Sequence, residues 1–214
     1  MPRRRTATLW ATALAASASL LTACGSQAHP GAAAVVGGER ITVAELEERV
    51  GEVREARRAA VSDDAQYRQA VARTGGLARD TLHGMVLDRV LHHAAQREGV
   101  SVGRKEVQAM REGLEQRTGG ARALETVWLE RYGVSAARLD ENLGLQLEAQ
   151  KLAERLGTDT GQPAFWEALS EASRDLAVDL NPRYGSWDME HSGRVDTETP
   201  WVRDTGWAAG LRPV

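Results

Sequence analysis

Leu82-His83-Gly84-Met85-Val86-Leu87-Asp88-Arg89-Val90-Leu91-His92-His93-Ala94-Ala95 runs into Glu98-Gly99-Val100-Ser101-Val102-Gly103-Arg104-Lys105-Glu106-Val107. In the first part Leu82, Met85, Val86, Leu87, Val90, Leu91, Ala94 and Ala95 recur at helical spacing over a broad apolar face. A face that broad predicts a central, largely buried helix. The glycines of the second part break it. Gly103 can then serve as the N-cap of the next helix, with Glu106 three residues on to bond back to the cap. A second break stands at Tyr132-Gly133-Val134-Ser135. From Leu77 to Leu156 the chain therefore reads as a run of helices separated by sharp turns, and the expected fold class is mainly α.

Upstream, Val35-Val36-Gly37-Gly38-Glu39-Arg40-Ile41-Thr42 predicts a short strand, a Gly-Gly turn and a second extended piece. Thr42-Val43-Ala44-Glu45 is a capping box that opens a helix to about Ala60. Leu46, Val50, Val53 and Ala60 make its apolar stripe, and the charges around them, Arg49, Glu52 and Arg57 among them, read as a solvated face. Ser62 to Arg73 predicts another helix. Downstream, Val107, Met110 and Leu114 form a narrow stripe, and Ala121, Leu124, Val127, Trp128 and Tyr132 form the next helix face. Ser135 is placed to cap a long helix from Ala136 to about Leu156. That helix carries two apolar stripes on different sides of the cylinder, Leu139, Leu143 and Leu147 on one and Leu145, Ala149, Leu152 and Leu156 on the other. Pro163 opens a further helix, Ala177 to Leu180 alternates like a strand, and Asn181-Pro182-Arg183-Tyr184-Gly185-Ser186-Trp187-Asp188 closes the ordered part. Short strands at Val35–Val36 and Val178–Leu180 are expected to meet.

The N-terminus has a different character. Met1-Pro2-Arg3-Arg4-Arg5 is a basic leader, Ala7 to Leu21 is apolar and too short for a stable span, and Leu21-Thr22-Ala23-Cys24 resembles a lipobox. Cys24 is the single cysteine of the chain, so an intrachain disulfide is excluded and stability must come from packing. The expected organisation is a lipoprotein signal peptide at 1–23, lipid attachment at Cys24, a flexible tether at 24–34, a helical domain at 35–188 and a mostly disordered tail at 189–214 that holds Trp201 and Trp207. Loss of Arg3, Arg4 and Arg5 with the leader takes the formal net charge from −3 to −6. That balance lacks the basic footprint of a nucleic-acid binder. The expected location is exported, on the outer face of the cell membrane.

Catalytic signatures are not found: no Gly-x-Ser-x-Gly elbow, no phosphate-cradling glycine loop and no paired Cys or His spacing. His92 and His93 point about 100° apart, and His83 is nine residues away, so no metal site is expected. No cofactor and no enzymatic activity are expected.

The Gly-Val-Ser-Val break with its capped helix start, the Val-Val-x-Gly-Glu-x-Ile-Thr-x-x-Glu opening and the Asn-Pro-Arg-Tyr-Gly-x-Trp return resemble the SurA N-terminal domain and the PrsA-like foldase lipoproteins. The resemblance covers about residues 35–188 and implies the SurA/PrsA/trigger-factor-like helical chaperone lobe, with short terminal strands. Relatives commonly insert a parvulin prolyl-isomerase domain after the last long helix. Here the interval Gly157 to Asp179 is too short for one, so isomerase activity is not carried over. The function implied is a lipid-anchored extracytoplasmic holdase whose partners are unfolded or secreted clients. The alternative is a non-enzymatic interaction lipoprotein that holds one specific partner at the membrane surface. If clients are held, the candidate contacts are Val107, Met110, Leu114, Trp128, Tyr132, Leu145, Leu152 and Leu156. The competing reading makes those stripes plain core.

Overall fold

A computed structural model describes residues 30–60 and 76–196. The leader, Cys24, the helix expected at Ser62–Arg73, and Trp201 and Trp207 lie outside the described residues.

Strands β1 (Ala32–Val36) and β2 (Glu39–Thr42) form an antiparallel hairpin in which Val36 pairs with Glu39. Gly37 and Gly38 both have positive φ, +61° and +81°, the conformation that a two-residue turn matched to strand twist demands. A Cβ on Gly37 would lie 2.7 Å from Leu176 Cδ2, so this glycine also permits close approach. β1 begins three residues earlier than expected. Ala32, Ala33 and Ala34, assigned to the tether by sequence, are buried strand residues. Runs of alanine carry little strand signal; here their small side chains let the central helix approach the sheet.

Thr42 and Glu45 make the capping box. The Thr42 amide donates to Glu45 Oε2 at 2.6 Å and the Glu45 amide to Thr42 Oγ1 at 3.1 Å. Helix α1 (Val43–Ala60) follows and buries Leu46, Val50 and Val53. The central helix α2 (Leu77–Arg97) buries Leu77, Leu82, Val86, Val90, Leu91, Ala94 and Ala95. It ends in a Schellman motif: the Val100 amide donates to the Ala95 carbonyl at 2.8 Å and the Gly99 amide to Gln96 at 3.1 Å, with Gly99 at φ +68°. Helix α3 (Arg104–Thr118) starts at Gly103, whose amide donates to Glu106 Oε2 at 2.8 Å. Helix α4 (Ala121–Tyr132) ends at Gly133, φ +66°. A 3₁₀ turn at Ala136–Arg138 precedes α5 (Leu139–Arg155). Ser135 makes no side-chain cap; its Oγ is buried and unpartnered, so that expectation is corrected. The tight turn begins directly after Ser135 and α5 itself starts three residues later.

Helix α6 (Pro163–Asp175) is the one helix between α5 and the return segment among the described residues. The chain then comes back as β3 (Asp179–Leu180), which pairs with β1 through Ala34–Leu180 and Val35–Asp179 and completes a sheet of order β2-β1-β3. Asn181 ties the return down. Its amide donates to the Ala33 carbonyl at 2.9 Å and its side-chain nitrogen to Ala32 at 3.1 Å. The ordered structure continues past Asp188. β4 (Ser186–Asp188) pairs antiparallel with β5 (Gly193–Val195), so the first part of the expected tail is a hairpin. Trp187 anchors it, buried, with Nε1 donating to Ser173 Oγ at 3.3 Å while Ser173 and Ser192 hydroxyls lie 2.9 Å apart.

Two apolar clusters organise the lobe. The larger joins β1, α1, α2, α6 and the return segment, with Leu152 and Ala153 of α5. The smaller contains Leu124, Trp128, Leu139 and Leu143, with Val107, Met110, Leu114 and Val134 packed against it. Helix α5 belongs to both, Leu139 and Leu143 in the small cluster, Leu145, Ala149, Leu152 and Leu156 in the large one. Each stripe thus packs in part against this chain, with Leu147 in neither cluster and Leu145 partly open. The architecture is mainly α with short strands at the base, as the sequence predicts.

Candidate functional site

The candidate client contacts separate into three environments. Leu152 is fully buried, and Trp128 is 7% exposed with its indole donating to Asn142 Oδ1 at 3.0 Å. Both are buried in the lobe, as the competing reading of these stripes has it: helical spacing marks an apolar stripe but not what covers it. Val107, Met110 and Leu114 are half-buried against the small cluster, and Leu156 against the large one. Tyr132 and Leu145 line a concave surface among the described residues. Tyr132 is 51% exposed, its ring 5.4 Å from that of Trp128, and the Arg131 guanidinium carbon lies over that ring at 5.5 Å from its centroid.

That surface is a groove between α1, α2, the end of α4 and the start of α5. It comprises a cavity of about 380 Å³ and a second of about 470 Å³. Both are lined by Arg49, Met85, Asp88, Arg138, Glu141 and Leu145, so they adjoin. Val53, Leu77, Tyr132 and Val134 add apolar wall to the first. Helical geometry explains the placement. Met85 and Asp88 are three residues apart on α2, and Arg49 and Glu52 three apart on α1, so each pair shares a face.

The charges of the groove are mostly spoken for. Arg138 donates to both carboxylate oxygens of Glu52 at 3.0 Å and to Glu141 at 3.0 Å. Arg49 reaches Glu141 at 3.3 Å. The Arg138 bond holds the Glu52 carboxyl below the usual range. Asp88 and Arg57, both half-buried, are not spoken for, nor are the exposed Glu48, Asp80 and Glu130. Asp88 has no hydrogen-bond or ion-pair partner among the described residues. Burial pushes its carboxyl up to about 6, opposed by Arg49 and Arg89 and reinforced by Glu141 and Glu148. Sequence reasoning placed Arg49, Glu52 and Arg57 on a solvated face and did not single out Asp88. Its signal was present: a carboxylate between Leu87 and Val90 on the broadest apolar face of the chain.

The histidines hold structural positions. His92 Nδ1 lies 2.8 Å from the buried Glu148, and the His83 ring stacks on Trp187 at 5.5 Å. Among the described residues no group of three or more His, Cys, Asp or Glu is placed to hold a metal ion.

The family of SurA-like N-terminal domains matches this chain over residues 4–153. The chain belongs to that family. Domains of this kind are chaperone-type modules. No curated protein and no solved structure matches the chain. The family match ends inside α5 of this SurA-like chain, so α6, β3 and the β4–β5 hairpin lie beyond it. Those later elements nevertheless supply Phe165, Leu169, Val178, Leu180 and Trp187 to the larger core. They are part of the same packed lobe, not an appendage to it.

Proposed function

We propose that this SurA-like protein is a lipid-anchored extracytoplasmic holdase that grips unfolded segments of exported proteins without turnover. The observation that carries the reading is the groove of two adjoining cavities between α1, α2 and α5, in a domain of a chaperone-type family. Its apolar side chains, Met85, Leu145 and Tyr132, can meet a client, and Met adapts to varied shapes. Cys24 carries the lipid and holds the lobe at the outer face of the membrane. No chemical step is assigned to it.

A second reading is favoured by one observation. The groove is walled largely by charged side chains, and the exposed large apolar residues Val127, Tyr132, Trp166, Met189 and Val195 come from separate elements, α4, α6 and the β4–β5 hairpin. A promiscuous chaperone wants a broad apolar surface, so a lipoprotein that holds one fixed partner also fits.

Crosslinking of the membrane-anchored protein followed by identification of the captured chains tests the two. Many exported chains, together with suppression of client aggregation by the soluble lobe, support the holdase. One stoichiometric partner and no suppression support the single-partner reading.

A further inference from the structure

Asp88 is an anomaly of the fold. It is half-buried, faces the groove and has no protein partner, and burial disfavours its charged form. Arg49 and Arg89 offset part of that cost through space, but no nearby cation bonds the carboxylate. Arg138 is engaged by Glu52 and Glu141, Arg49 by Glu141, and Arg89 donates to the Met85 carbonyl at 3.2 Å. Natural proteins keep such a cost where a site needs it. The position of Asp88 supplies the need. It lines both cavities, as Met85 and Leu145 do.

We infer that Asp88 is a specificity subsite that receives one cationic side chain, Arg or Lys, of an extended client segment, with Met85 and Leu145 covering the apolar residues that flank it. The inference rests on the holdase reading and names what that groove selects. Charge complementarity decides the occupant. A purely apolar peptide would leave the carboxylate desolvated and unpaired, and an acidic one would add repulsion to the Glu141 already there. A guanidinium or ammonium restores the missing partner, and its aliphatic stem packs along the apolar wall. Arginine fits best, because its planar fork can engage both oxygens at once.

The test uses a fluorescein-labelled nonapeptide with a single central arginine between leucines and alanines. It is compared with the same peptide carrying citrulline, which keeps the shape and removes the charge, and with a glutamate version. Binding is measured on the full processed protein at pH 7.5. Expected is a preference for arginine over citrulline of about tenfold, with glutamate weakest. The substitution Asp88→Asn should erase the preference. It should also raise the melting temperature, since it removes the unpaired charge, and this shows that the variant folds. Equal affinity of wild type for the arginine and citrulline peptides overturns the subsite, as does an Asp88→Asn variant that keeps the preference. If the arginine peptide does not bind and Asp88→Asn instead turns a dimer into a monomer in sedimentation, the occupant is a second copy of this chain and the proposal is wrong. Suppression of client aggregation, measured beside these, reports on the holdase reading separately. It survives when only the charge preference fails.

Discussion

Arg138, at the end of the 3₁₀ turn before α5, forks onto Glu52 of α1 with two hydrogen bonds of 3.0 Å each. Eighty-six positions separate them in sequence. The pair fastens the small-cluster end of the lobe to α1, and the same guanidinium reaches Glu141 one turn into α5. One side chain thereby bridges α1 and α5 along the groove.

Arg138→Met keeps most of the stem and removes the fork. Both partners are about one-third exposed, so solvent screens the pair and the stability lost should be about 1 kcal/mol. Urea unfolding at low and high salt checks this. The wild-type advantage should shrink as salt rises. A salt-independent loss of several kcal/mol would show that the stem's packing, not the ion pair, holds the wall.

Trp128→Ala should cost about 3–5 kcal/mol, as expected for a large buried side chain. Met110, half-buried against the same cluster, should cost about 1–2 kcal/mol on truncation. Aggregation suppression by either variant should track the folded fraction alone. A folded, stable Trp128→Ala protein with lost client binding would return Trp128 to the working surface.

Gly37 and Gly38 both need positive φ, but only Gly37 is crowded. Gly38→Ala should cost about 1–2 kcal/mol for the left-handed backbone. Gly37→Ala carries the same penalty plus a clash with Leu176, and it endangers the 2.6 Å bond from its amide to the Leu176 carbonyl. Thermal melts of the two single variants should therefore rank Gly37→Ala clearly below Gly38→Ala; equal melting temperatures would remove the packing argument.

His83 should make the β4–β5 hairpin looser in acid than it would be without that imidazole. Burial lowers the pKa of His83 from the ordinary 6.5, with a further push from Arg194 of β5, and Asp80 of α2 opposes both. The folded chain thus favours neutral His83, and the unfolded chain takes up its proton first. The stability this supplies is complete above pH 6.5 and is lost as the pH falls through the lowered value. His191 acts the other way. Bonding to Asp188 raises its pKa, so its contribution is present in acid and lost as the pH rises. Replacing His83 by Phe keeps a ring against Trp187 and isolates the effect. Amide exchange at Trp187 and Arg194, compared between pH 7.5 and 5, should accelerate in acid for wild type relative to His83→Phe. Identical profiles would refute a role for His83.

Cys24→Ser should release the protein from membranes or leave its leader uncut. Fractionation with a lipid label reads the outcome. A variant cleaved after Ala23 that stays membrane-bound like wild type would show that the lipobox reading is wrong.

Local chemistry made much of this fold legible. Caps at Thr42–Glu45 and Gly103–Glu106, the Schellman stop at Gly99 and the Gly37-Gly38 turn depend on neighbours within a few residues, so the pattern of letters carries them. The same holds for the apolar periodicity of α2, and for the return strand at Asp179–Leu180 once the hairpin it joins is read. Family membership followed from these local signatures. What the letters could not decide is what lies across from each face. The two stripes of α5 look alike in sequence, and only tertiary packing assigns one to each cluster and leaves Tyr132 and Leu145 at a groove. Ser135 has the residue type of a cap but is buried without a partner, and Ala32–Ala34 look like tether but are strand. Asp88 is the sharpest case. Its residue type and its helix are plain in sequence, but the absence of a partner depends on Glu52 and Glu141 claiming the nearby arginines. Those pairings join α1, the 3₁₀ turn and α5, and they exist only after the helices have packed, because an ion pair is decided by distance in space and not by spacing along the chain.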